Sequence, residues 1–124
     1  MGRKICCSYS KGENILKFRE LSLKGVFLIE LEKIEDERGF FARSWDKKEF
    51  ENNKLNSNLF QCNISFNKNK GTIRGMHFQK DPYAEAKTIR CTRGKVFEVM
   101  IDIRINSPTF HKWISVELDE KKCE

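Results

Sequence analysis

The stretch Val96-Phe97-Glu98-Val99-Met100-Ile101-Asp102-Ile103-Arg104-Ile105 decides the fold class of this 124-residue chain. It is the longest β-like run in the sequence, with Phe97, Val99, Ile101, Ile103 and Ile105 on one face of a two-residue period. Alternation of that kind belongs to a strand, because successive side chains of an extended backbone point to opposite sides. Gly94 in front and Asn106-Ser107-Pro108 behind are turn residues that bound it.

The same grammar extends outward. Downstream, Trp113 to Leu118 forms a last strand. Upstream, Lys87 to Arg93 and Thr72 to Gln79 read as strands, separated by the Asp81-Pro82 loop. Gly75 lies inside the second of these, where a glycine often marks a bulge or a close backbone approach. Leu59 to Phe66 places Gln61, Asn63 and Ser65 on one face and Phe60, Cys62, Ile64 and Phe66 on the other, and Asn67 to Gly71 is a polar turn. Further upstream, Asp46-Lys47-Lys48-Glu49 is an N-cap followed three residues later by Glu, which predicts one short helix over about residues 47–55. Val26 to Leu31 and Phe40 to Trp45 are strands on either side of the turn Asp36-Glu37-Arg38-Gly39. Residues 1–14 have no period and are expected to form a loose N-terminal extension, with a single domain over residues 15–124. Short strands separated by polar turns predict an all-β sandwich or barrel. There is no internal repeat, low-complexity tract, dinucleotide-binding glycine motif, phosphate loop or heptad pattern.

Ten Phe and two Trp, with many Ile, Leu and Val, are enough for one hydrophobic core. No apolar run is long enough to cross a bilayer, and MGRKICCSYS is basic without the apolar stretch of a secretory signal, so the cytoplasm is the expected location and no membrane partner is expected. Five cysteines without a CxxC pair read as reduced thiols in such a compartment. The net charge is +6, and residues 61–95 hold eight Lys or Arg against only Asp81 and Glu85, an excess equal to that of the whole chain. Such a segment attracts an anion, either a nucleic acid or a phosphorylated small molecule.

There are two histidines. His111 lies in a turn and is assigned a structural place. His77 lies in a strand, shares a face with Gln79, and has Arg74 and Lys87 nearby in sequence. An imidazole can remove a proton from a carbon next to a carbonyl, and a lysine can stabilise the resulting enolate oxygen. Arginines fit the oxygens of a diphosphate with their planar fork. A barrel metal site would need a second histidine near His77, and position 79 is glutamine. The site is therefore read as metal-free, with no cofactor.

Taken in order, several runs carry a family resemblance. They are Lys24-Gly25-Val26, Asp36 to Phe41, Gln61 to Ser65, Lys70 to Gln79 with Arg74-Gly75-Met76-His77-Phe78-Gln79 at its centre, Lys87, Gly94 to Phe97, Asp102-Ile103-Arg104 and Ser107-Pro108-Thr109-Phe110. From Lys17 to about Leu118 the chain resembles the N-terminal two thirds of the dTDP-4-dehydrorhamnose 3,5-epimerases. The resemblance implies a cupin-type jelly roll (double-stranded β-helix), incomplete at the C-terminus, with one short helix. It implies a nucleotide-diphosphate sugar as substrate and a homodimer in which the Arg38 region reaches the neighbouring site. By the same resemblance His77 is the base that takes protons from C3 and C5, and Lys87 stabilises the C4 enolate. Arg38, Gln61, Asn63 and Arg74 hold the nucleotide diphosphate, Phe41 lies near the nucleotide, and Asp102 and Gln79 support the site.

The departures are specific. Arg43 stands where the family has glutamate, and Glu98 replaces an aspartate. The family's general-acid tyrosine and the aspartate that orients its histidine match no residue up to Glu124, and Tyr9 and Tyr83 do not take the tyrosine's place. A base without its orienting carboxylate loses its tautomer and pose, so an inactive sugar-nucleotide binding module is the second reading. A basic β-domain for single-stranded nucleic acid ranks last, because it leaves His77 and Lys87 without a role.

Overall fold

A computed structural model describes residues 16–122. The extension expected over residues 1–14 lies outside the described residues. The chain forms β1 (Leu16–Glu20), β2 (Phe27–Leu31), β3 (Lys33–Asp36), β4 (Gly39–Ala42), the single helix α1 (Lys47–Asn52), β5 (Lys95–Ile101) and β6 (Trp113–Asp119). The strands pair as three antiparallel hairpins, β1 with β2, β3 with β4 and β5 with β6. Their registers run from Leu16 opposite Leu31, Lys33 opposite Ala42 and Lys95 opposite Asp119.

Local chemistry sets the elements that are local. Asp46 caps α1 by accepting from the Glu49 N–H (3.1 Å), as the capping pattern predicts. The Glu49 carboxylate also accepts from the Leu16 N–H (2.9 Å), which fastens the helix to the start of β1. The helix stops at Asn52, three residues short of expectation. Lys54 adopts a left-handed backbone (φ 59°), and the Asn53 side-chain amide donates to the Glu49 carbonyl at 2.8 Å. Phe50, buried on α1, meets Phe18 edge-on (5.4 Å between centroids) and Trp45 at 5.9 Å.

The main apolar cluster joins the first and third hairpins. Leu28 of β2, Cys91 and Leu118 of β6 are buried together, with Leu21, Val96 and Val116 packed against them. The Cys91 thiol donates to the carbonyls of Arg93 and Gly94, which satisfies it inside the cluster. β5 therefore contributes Val96 to the core, while Phe97, Val99 and Ile101 on its other face are exposed. The face that is most apolar in the sequence is thus open in this chain.

Three expected strands have no ladder. Residues 59–66, 72–79 and 87–93 carry no β pairing, and Phe60, Ile64 and Ile73 are 90, 96 and 90 % exposed. Alternation prepares a segment for a sheet, but a strand exists only where a neighbour satisfies its N–H and C=O groups. The β5 run also ends early, at Ile101, because the backbone turns at Asp102 to bond the 104–111 loop.

Candidate functional site

Most of the candidate residues sit on the segment between α1 and β5. His77 is exposed, and its ring lies back along the backbone of Gly75. Two residues on, the Gln79 side-chain amide donates to Glu85 Oε1 (3.2 Å), and the same oxygen pairs with Lys87 Nζ at 3.0 Å. Glu85 thus ties Gln79 to Lys87. The sequence reading did not single out Glu85. The signal was available: Glu85 lies two residues before Lys87, so on an extended chain it falls on the lysine's side.

The cations proposed for the diphosphate are each held by a side chain of their own loop. Arg74 Nε donates to Asn67 Oδ1 (2.7 Å), bridging the 67–74 turn. Arg38, at the tip of the β3–β4 hairpin, forks onto Asp36, whose carboxylate also accepts from the Arg38 N–H (2.9 Å). The Arg38 guanidinium holds the Asp36 carboxyl below its usual range, and Asp36 raises Arg38 in turn. The pair is open to water, so it is screened. Phe41 is half exposed on the same hairpin, opposite Ile34, and Lys33 lies over the Phe40 ring at 4.9 Å. Gln61 and Asn63 are exposed on the unpaired 59–66 segment.

Asp102 has a different character. It is buried, and it accepts from Arg104 through the backbone N–H (3.0 Å), Nε (2.9 Å) and Nη2 (2.8 Å), from Ser107 Oγ, and from Thr109 Oγ1 at 2.6 Å. Arg104, then Ser107 and Thr109, hold its carboxyl far below the usual carboxylate range. Arg104 Nη2 also donates to the Lys24 carbonyl (2.7 Å), which joins this knot to the β1–β2 turn. Asp102 is therefore the anchor of a loop, and its spacing to Arg104, Ser107 and Thr109 is the pattern that built the loop. His111 belongs to the same loop. Its N–H donates to the Asp102 carbonyl (2.8 Å) and its ring stacks on Phe110 at 3.8 Å.

Arg43 now has a local account. Its guanidinium pairs with Asp46 (2.9 Å) and reaches Glu49 (3.7 Å), both at the start of α1. An open groove of about 590 Å³ lies elsewhere, between β1–β2 and β6, lined by Arg19, Ser22, Leu28, Ile114, Ser115 and Lys122 among others. It contains none of the candidate residues. Among the described residues, no three His, Cys, Asp or Glu side chains are grouped to hold a metal ion, and no helix is long and apolar enough to cross a membrane.

Comparison with known proteins gives this arrangement a context. The family model described as dTDP-4-dehydrorhamnose 3,5-epimerase matches residues 20–124. A dTDP-4-dehydrorhamnose 3,5-epimerase of Sinorhizobium fredii is 43 % identical over 104 residues, which cover 84 % of this chain and 53 % of that protein. The crystal structure of the epimerase of that name from Elizabethkingia anophelis matches with a TM-score of 0.83 at 38 % identity, covering 88 % of this chain and 60 % of the other. That from Bacillus anthracis, with TDP and PPi bound, matches with a TM-score of 0.83 at 36 % identity, covering 87 and 62 %. The architecture is that of a cupin-type jelly roll, of which this chain has a part. The chain spans about half the length of the curated relatives it matches.

Proposed function

Because the chain belongs to the dTDP-4-dehydrorhamnose 3,5-epimerase family, we propose that it carries the proton-abstracting part of an epimerase acting on a dTDP-4-keto-6-deoxy sugar. The observation that carries this reading is the exposed imidazole of His77 on the same segment as the Gln79–Glu85–Lys87 chain of bonds. His77 takes the proton from C3 or C5, whose acidity comes from the C4 carbonyl between them. The electron pair left on carbon moves onto the C4 oxygen. Lys87 then exchanges its Glu85 contact for that oxyanion, and the ammonium balances the charge where it develops. Arg38 and Arg74 take the diphosphate in place of Asp36 and Asn67, with Gln61, Asn63 and Phe41 completing the nucleotide side.

The same reading includes a homodimer working in the cytoplasm. A second reading, sugar-nucleotide binding without turnover, is favoured by one observation: Glu85 already occupies Lys87.

Incubation with the dTDP-4-keto-6-deoxyglucose substrate in heavy water separates the two. The expected result is deuterium entering C3 and C5, with a loss of roughly 10²–10⁴-fold in His77→Ala. Tight binding without exchange would favour the second reading. Salt-sensitive binding to single-stranded oligonucleotides, with no affinity for the nucleotide sugar, would overturn both.

A further inference from the structure

Gly75 has a positive φ of 90°, and a Cβ added to it would lie 3.1 Å from His77 Nδ1, 3.4 Å from the His77 backbone nitrogen and 3.7 Å from Cε1. A side chain at position 75 would therefore crowd the imidazole, which would have to give way by a few tenths of an ångström. The ring's Nδ1–Cε1 edge faces the glycine. Any residue larger than glycine here therefore presses on the ring. His77 is exposed and lies on a segment without a β ladder, so few other contacts define its pose.

From this geometry we propose that Gly75 is a positioning residue for His77. By lacking a side chain, it lets the imidazole fold back onto the backbone with the Nδ1 edge inward and the opposite edge turned to the substrate carbon. The inference rests on the reading of His77 as the base. It adds a cause for the ring's orientation that neither the base nor the lysine supplies. Strain and contact are separable within this molecule. Gly71 has a similar positive φ (80°) on the same segment, but a Cβ there would meet nothing within 4 Å. Both glycines put an alanine at positive φ, and only at position 75 does the added Cβ crowd the imidazole.

The test compares Gly75→Ala with Gly71→Ala in the full chain. Gly75→Asn is added because asparagine accepts positive φ more readily than alanine while still carrying a Cβ. With only two histidines in the sequence, the imidazole ¹⁵N resonances resolve into two sets, and His111 serves as internal reference. Both Gly75 variants are expected to shift the His77 resonances and leave those of His111 in place. They should slow C3 and C5 exchange roughly 10²-fold, as a misplaced base does. KM for the nucleotide sugar should stay within about twofold, since substrate binding does not use the ring's pose. Gly71→Ala should match wild type in both readouts. The proposal is overturned if His77 does not move in the Gly75 variants, if it moves without a change in exchange rate, or if Gly71→Ala moves it equally. A wild-type chain that exchanges no proton would overturn the epimerase reading instead, and the spectra would still decide whether Gly75 sets the ring's pose.

Discussion

The β5–β6 hairpin and the segment from 53 to 94 are built from similar alternating sequence and end in opposite states. The hairpin has a complete ladder, from Lys95 opposite Asp119 to Ile101 opposite Trp113, and places Val96, Val116 and Leu118 in or against the core. The segment has no ladder and, apart from Cys91, almost no burial, yet it holds His77, Lys87, Arg74, Gln61 and Asn63. Burial is therefore concentrated in the hairpins, while most of the residues proposed for chemistry lie on the segment. Apart from Arg38 and Phe41 on the β3–β4 hairpin, a hairpin residue should report on folding, and under the proposed function one in the segment should report on the substrate.

The sharpest way to break this contrast is Leu118→Ala. Leu118 is 6 % exposed at the centre of the cluster that joins the first and third hairpins. Truncation should cost about 2–5 kcal/mol of unfolding free energy, read from the urea midpoint at constant slope. A loss under about 1 kcal/mol would show that the cluster does not hold the hairpins together.

A smaller, acid-dependent effect is expected at Asp102. Its carboxyl is held low in the fold by Arg104, Ser107 and Thr109. The unfolded chain therefore binds this proton first as pH falls. The stabilisation is complete above the unfolded value of about 4 and drains away in more acidic solution, toward the folded value. Asp102→Asn removes that titration. The gap in melting temperature between wild type and variant should be widest near about pH 6 and narrow toward about pH 3. A gap that is constant across that window would show that the carboxylate charge contributes nothing to the knot.

The smallest effect belongs to the segment. Ile64 is 96 % exposed, so Ile64→Ser should change stability by less than about 0.5 kcal/mol. A loss above about 1.5 kcal/mol would mean that Ile64 is covered in solution, and the segment would then belong with the hairpins.

The parts of the fold that were legible in sequence are those whose determinants lie within a few residues of each other. Asp46 and Glu49 announce the start of α1, and Asp36 to Gly39 announce a two-strand turn, because capping and turn chemistry are complete locally. Alternation at 59–66 and 72–79 was equally plain, but it states only that a segment can present two faces. It does not say which backbone will pair with it. The open face of β5 makes the same point: the pattern marks Phe97, Val99 and Ile101 as a set, while burial goes to Val96 through its contact with Leu118 and Leu28. At the site, residue types drew attention to His77, and the family resemblance supplied the roles proposed for His77 and Lys87. The partners that hold the charged groups, Asp36 for Arg38, Asn67 for Arg74 and Glu85 for Lys87, were not legible, because each depends on the shape of a loop.

The bond from Arg104 to the Lys24 carbonyl crosses 80 residues of sequence. During synthesis the β1–β2 hairpin leaves the ribosome complete, but the guanidinium that locks its turn is made on the order of 4–16 s later. Leu28 waits through the same interval for Leu118, so the earliest hairpin spends it with its apolar side uncovered. Closing the knot is therefore one of the last steps in making this fold, and it comes only after residue 104 has been made.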